Sequence, residues 1–158
     1  MDAAVTPFGS RTEFTQHVQT CMARARLTLD LFDPDFALFA LGTLDVDNIL
    51  RNFLRGGGHL RLAMHRTTHI ERDCPRFMRL LRDVGHQVEC RGTSRALRQL
   101  TDSFCIGDGA DIVRRFHSDH ARGEAAFGHP GAADVSRERF AGIWEESSSV
   151  LHPTTTGL

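Results

Sequence analysis

Residues 101–115 read Thr101-Asp-Ser-Phe-Cys-Ile-Gly-Asp-Gly109-Ala-Asp-Ile-Val-Arg-Arg115. Two strand-like runs, Ser103 to Ile106 and Ala110 to Arg115, flank Gly107-Asp108-Gly109. An Asp-Gly pair between such runs signals a hairpin, because both residues accept the positive φ that a tight turn needs. The hairpin brings antiparallel pairing into a chain whose earlier residues alternate strands with helices.

Working back from the hairpin, Ser10 and Glu13 form a capping box. Phe14, Val18, Cys21, Met22 and Ala25 recur at helical spacing, which predicts a helix from about Arg11 to Ala25. Leu27, Leu29 and Leu31 alternate with Thr28 and Asp30 up to Asp33-Pro34, a strand with Asp30 on the face opposite the leucines. Val46, Ile49, Leu50, Phe53 and Leu54 predict a second helix, stopped by Gly56 to Gly58 before a strand through Leu60, Leu62 and Met64. Asp73 then caps a helix with Pro75 at its first position and with Phe77, Met78, Leu81 and Val84 inward. Gly85 ends it before a strand at Val88 to Cys90. Beyond the hairpin, a short strand at Glu124 to Phe127 precedes a last helix from about Ser136, with Phe140, Ile143 and Trp144 inward. The order of elements predicts an α/β fold with a mixed, mainly parallel sheet flanked by helices.

The 158 residues suit one domain, 1–158, with a flexible polar tail over about 148–158. A 41% hydrophobic and 25% charged composition excludes a disordered or collagen-like chain. The longest apolar stretch, Phe36 to Leu44, is too short to span a bilayer. The net charge of −1 supplies no overall field toward nucleic acid or anionic lipid. Every basic residue is arginine and tyrosine is absent, which excludes lysine Schiff-base chemistry, a Walker lysine and a tyrosine general acid. Cys21, Cys74, Cys90 and Cys105 stand singly in apolar runs and read as reduced, buried thiols of a cytoplasmic protein.

The run from Thr101 to Gly109, the strand after it and Phe140-Ala-Gly-Ile-Trp144-Glu-Glu-Ser147 resemble one half of the phospholipase D-like superfamily, over the chain from Leu27 to the terminal helix. The signature of that superfamily is His-x-Lys-x4-Asp, usually followed by Gly, and many members close with a Phe-x-x-x-Trp helix. Laid on this chain it puts the histidine at Thr101, the lysine at Ser103 and the aspartate at Asp108, so the aspartate alone survives. In the superfamily the histidine attacks phosphorus and the lysine neutralises phosphate oxygens; neither hydroxyl here replaces them. The usual Gly-Ser segment after the second strand is also missing, with Arg114-Arg115-Phe116-His117-Ser118 in its place.

The resemblance therefore implies a non-catalytic phospholipase D-like domain of bacterial type, a pseudoenzyme binding a ligand or partner without a cofactor. The residues it points to are Thr101, Ser103, Asp108, Arg114, Arg115 and His117, where a phosphate-containing ligand would meet forked arginine hydrogen bonds. It also implies a homodimer, since two halves face each other in the superfamily and this chain supplies one. Two other readings stay open. One is a divergent phosphodiesterase or nuclease using His117 or His65; the other is weak nucleic-acid binding through Arg91, Arg95, Arg98, Arg114 and Arg115. The pairs His65/His69 and His117/His120 lie in expected loops with no further ligand at fixed spacing, so no metal site is expected. Asp33 and Asp35, at the end of the first strand, are read as turn and cap residues ahead of a cation or acid-base role.

Overall fold

A computed structural model describes residues 4–152. Its strands are β1 (Thr6–Phe8), β2 (Thr28–Phe32), β3 (His59–Met64), β4 (Val88–Thr93), β5 (Ser103–Gly107), β6 (Asp111–His117), β7 (His120–Ala126) and β8 (Ser147–Ser149). Its helices are α1 (Arg11–Arg24), α2 (Leu44–Arg55), α3 (Thr68–Asp73), α4 (Pro75–Val84) and α5 (Pro130–Glu145). The capping box closes as expected: Ser10 Oγ accepts from the Glu13 amide at 3.1 Å and donates to Glu13 Oε1 at 3.0 Å. Other boundaries move. The helix expected from Ser136 starts at Pro130 with His129 as its cap, α3 carries His69 where a loop was expected, and Cys74 rather than Asp73 caps α4.

The eight strands form one sheet in the order β1-β7-β6-β5-β2-β3-β4-β8. The expectation of a mainly parallel sheet is overturned: among the described residues only β2–β3 and β3–β4 run parallel, and every other neighbouring pair is antiparallel. The reason lies in the link after β4. Residues 94–102 hold a single 3-10 turn, Arg95–Leu97, and stay at the edge where β2, β3 and β4 end. A parallel strand would need a crossover of about a dozen residues or more to return to the opposite edge. The strand β5 therefore starts beside the end of β2, and Phe32 pairs with Phe104. The hairpins β5–β6 and β6–β7 then add antiparallel strands in turn. The expected polar tail also starts too early: Ser147 to Ser149 pair with β4, the Val150 amide donates to the Cys90 carbonyl, and 153–158 lie outside the described residues.

One sheet face is covered by α1, α2 and α4 over Leu29, Leu31, Leu60, Leu62, Cys105 and Val113. The other is covered by α5 alone, with Phe140, Ile143 and Trp144 over Phe32, Ala63, Phe104 and Ile106. Phe14, Phe36, Phe39, Phe104 and Phe140 are fully or almost fully buried, each contributing about 1.5–3 kcal/mol of transfer free energy. Asp30 does face away from the leucines: it holds Arg61 by a two-pronged ion pair of 2.8 and 3.0 Å, and that guanidinium lies over the Phe140 and Trp144 rings. Because α5 is a single helix, the part of that sheet face formed by β6 and β7 is left partly open.

Candidate functional site

The sheet edge where β2, β3 and β4 end and β5 begins gathers Asp33, His65, Thr93 and Ser103, with Arg115 brought alongside by the β5–β6 register, which pairs it with Ser103. Asp33, Ser103 and Arg115 form a buried cluster. Ser103 Oγ donates to Asp33 Oδ1, and Arg115 Nη2 lies 3.0 Å from both that oxygen and the hydroxyl. Asp33 Oδ2 accepts from the amides of Asp35 at 3.0 Å and Phe36 at 2.6 Å, which is the turn role read from the sequence. The Arg115 guanidinium rests 5.3 Å from the Phe14 ring centroid on the α1 side. Burial pushes the Asp33 carboxyl above its ordinary value, against Ser103, the two amides and Arg115, which pull it down. Arg115 brings a cation beside Ser103 from the neighbouring strand, and Asp33 already neutralises it.

His65, the nearest imidazole, is fully engaged. Its Nε2 is 2.7 Å from the Leu100 carbonyl, which can only accept, so that nitrogen carries the proton; Nδ1, 2.6 Å from Thr93 Oγ1, accepts from the hydroxyl. Both ring nitrogens are thus engaged by groups of the protein itself. His117 sits at the tip of the β6–β7 hairpin, where its Nδ1 accepts from the Asp119 amide at 3.0 Å and its ring lies 5.4 Å from that of His120. The cysteines offer no replacement nucleophile: all four are buried and unpaired, and burial pushes Cys90 up to about 12 and, helped by Asp73, Cys74 up to about 11. Among the described residues, no three His, Cys, Asp or Glu side chains converge on one point.

The six residues singled out from the sequence do not form one cluster. Thr101 and Arg114 line an open cleft of about 400 Å³ with Gln99, Phe116 and the Asp102–Arg139 ion pair. Ser103 and Arg115 are inside. Strand alternation separates the two arginines, so Arg114 faces the α5 side and pairs with Glu124 on β7. Of the arginines considered for nucleic acid, Arg91 packs 4.2 Å from the Trp144 ring and donates to its carbonyl, while Arg95 and Arg98 are exposed. Sequence reasoning did not find the Asp33–Arg115 pair, because nothing in the spacing of 33 and 115 announces a contact made by register. It also passed over Phe116, which is 47% exposed beside Arg114.

Asp108 works at the opposite end of β5. It takes φ 53°, and its carboxylate accepts from the amides of Arg26, Leu27 and Thr28 at 2.7–3.2 Å, fastening the turn to the start of β2. Burial opposes its ionisation, but the amides of Thr28, Leu27 and Arg26, with the Arg26 charge, outweigh it, so its pKa lies below the ordinary value. A lowered folded-state pKa means that the ionised group stabilises the fold above the ordinary carboxylate range, and that this contribution disappears as pH falls through the folded value. Asp108→Ala should cost about 2 kcal/mol near neutral pH, because three amides lose their carboxylate acceptor and alanine lacks the local side-chain hydrogen bonds that let aspartate tolerate the left-handed region. Urea unfolding at a series of pH values checks this: the gap between wild type and Asp108→Ala should narrow below about pH 4.

Residues 10–152 match the model of a family described as a domain of unknown function, DUF7931. The chain belongs to the DUF7931 family. No curated protein matches this DUF7931 chain in sequence. Solved structures do match it. It is similar to Nuc, a phospholipase D family member from Salmonella typhimurium, at 14% identity and a TM-score of 0.67, covering 94% of this chain and 97% of that one. It is similar to NucT from Helicobacter pylori at 9% identity and a TM-score of 0.63, covering 94% and 100%. TrmBL2, an archaeal chromatin protein whose structure shows a mode of DNA binding, gives a TM-score of 0.68 at 10% identity over 92% of this chain. The DUF7931 chain spans 54% of the length of that protein. It has a phospholipase D-like fold.

Proposed function

We propose that this DUF7931 chain is a catalytically silent phospholipase D-like domain that acts by binding, as a homodimer, with Thr101, Arg114 and His117 on its contact surface and with Ser103 and Arg115 buried beneath. The observation that carries the reading is the state of Ser103. Its hydroxyl stands at the lysine position of the superfamily signature and is buried against Asp33 and Arg115. With both His65 nitrogens hydrogen-bonded and Asp33 held by Ser103 and Arg115, the interior of the edge has no group free to attack a phosphodiester. Thr101 and Arg114 are the residues of this edge that a phosphate-containing ligand or a protein partner would meet first. The four unpaired thiols support a reducing, cytoplasmic setting.

Incubation of the purified chain with bis(p-nitrophenyl) phosphate should release no nitrophenol above the buffer rate. Turnover that disappears in His117→Asn would establish the phosphodiesterase reading instead. Sedimentation equilibrium at tens of micromolar, about the range of a biologically useful association, should show a dimer; a monomer throughout would remove self-association from the proposal. Exposed Arg95 and Arg98, together with the likeness to a chromatin protein, favour nucleic acid as the competing ligand. In that case, retention of single-stranded DNA would fall steeply with added salt.

A further inference from the structure

We infer that His117 and His120, at the tip of the β6–β7 hairpin, form a chelating site for a late first-row divalent cation such as nickel or zinc. The sequence reading puts this pair in a loop, where nothing fixes one ring against the other. The structure corrects that placement: His117 is the last residue of β6, His120 is the first of β7, and the two are paired across the ladder with Ser118 and Asp119 as the turn between them. Residues directly opposite each other in an antiparallel pair project their side chains on the same face. The two rings accordingly stand with centroids 5.4 Å apart. Two imidazoles that share one cation through bonds of about 2.1 Å, at a near-tetrahedral angle, hold their centres about 5 Å apart. The backbone therefore already sets a separation close to the one that chelation needs. Both rings can be reached from solvent, since the His117 side chain is 40% exposed and His120 is exposed.

The proton inventory fits the same reading. His117 Nδ1 accepts from the Asp119 amide at 3.0 Å, which leaves the proton of the neutral ring on Nε2. The Asp119 carboxylate oxygen Oδ2 lies 3.6 Å from that Nδ1. When a cation takes Nε2, its proton goes to solvent, Nδ1 takes one up and donates it to the Asp119 carboxylate, and the Asp119 amide, at an exposed turn, bonds to water. A carboxylate behind a ligating histidine is the usual outer partner of a metal site, and it adds a negative charge beside the cation. Imidazole nitrogen suits nickel, copper and zinc, whereas magnesium and calcium take oxygen. Two protein ligands leave the other positions of the cation to water, in keeping with the lack of a third His, Cys, Asp or Glu at this point among the described residues. His65 and His69 offer nothing comparable: both His65 nitrogens are bonded inside the protein, and His69 Nδ1 on α3 lies 3.2 Å from Asp73. The site is complete within one chain and does not depend on self-association.

The test is isothermal titration calorimetry of the untagged full chain with nickel chloride and, separately, magnesium chloride. Nickel should bind at one cation per chain in its tightest phase, and magnesium should give no heat of binding. His117→Gln and His120→Gln each leave a single imidazole at the tip, and each should weaken that nickel phase at least about tenfold. The double variant should lose little more than either single one, because a chelate is gone once one arm is removed. Should one variant fail to fold, the other decides. No nickel binding, equal binding of magnesium, or a nickel affinity unchanged in a folded single variant would each overturn the assignment.

Discussion

Gly123→Ala should be the most damaging single methyl group that can be added to this protein, lowering stability by about 3 kcal/mol or more. Gly123 pairs with Arg115 next to the bulge that shifts the β6–β7 register between Arg115 and His117. A Cβ at that position would collide with the Arg114 carbonyl oxygen, and would stand 2.5 Å from Phe8 Cζ and 2.9 Å from the Arg114 carbonyl carbon. Neither side can yield cheaply. The carbonyl belongs to the β6 ladder, and the Phe8 ring packs on Phe14 with centroids 5.8 Å apart. Relief would require β7 to separate from β6, which would also loosen β1, paired to β7 on its other side. Denaturant unfolding should show a lower midpoint with an unchanged slope, which marks a true stability change. For a domain with the usual stability of about 5–15 kcal/mol, that loss is a large share of the total. A midpoint within error of wild type would mean that the chains do not approach this closely.

The second large effect is expected at the buried ion pair. Asp33→Ala leaves Arg115 charged in the interior beside Ser103, with Nε already unpartnered, and removes the acceptor for the amides of Asp35 and Phe36. Arg115→Met leaves Asp33 charged among neutral donors. Each should cost about 3–5 kcal/mol, because a lone buried charge keeps its desolvation penalty and loses the attraction that offset it. The double variant removes both charges, so its cost should fall short of the sum of the singles by about 1–3 kcal/mol. Unfolding curves for the four proteins close that cycle. Strict additivity would show that the two groups do not interact, and the account of Ser103 as a locked hydroxyl would fall with it.

Much of the architecture is legible in the chain before any coordinates. Ser10 and Glu13 announce the start of α1, Gly56 and Gly57 the end of α2, and Asp108-Gly109 the β5–β6 turn, where the two residues take φ 53° and 69°. These are local signals, written in capping hydrogen bonds and backbone sterics between residues a few positions apart. The resemblance to the phospholipase D-like superfamily likewise rests on contiguous residues, and the solved structures bear out the fold it implied. Strand direction was misread because it depends on which edge a connection ends at. Residues 94–102 carry no pattern that tells a link along one edge from a crossover to the other.

The candidate site divides along the same line. Under the resemblance, the amino-acid sequence by itself puts Thr101 and Ser103 where the superfamily signature has histidine and lysine, and Asp108 where it has aspartate. It determined too that Arg114 and Arg115, adjacent on a strand, point to opposite faces, since side-chain direction alternates with every residue. Only the tertiary structure decided what each then meets. The β5–β6 register sets Arg115 against Ser103, the antiparallel β2–β5 pairing brings Asp33 to both, and the single helix α5 leaves Arg114 beside an open aliphatic cavity. Such contacts join residues as far apart as 33 and 115, and their energy comes from burial and charge pairing that exist only once the sheet has assembled.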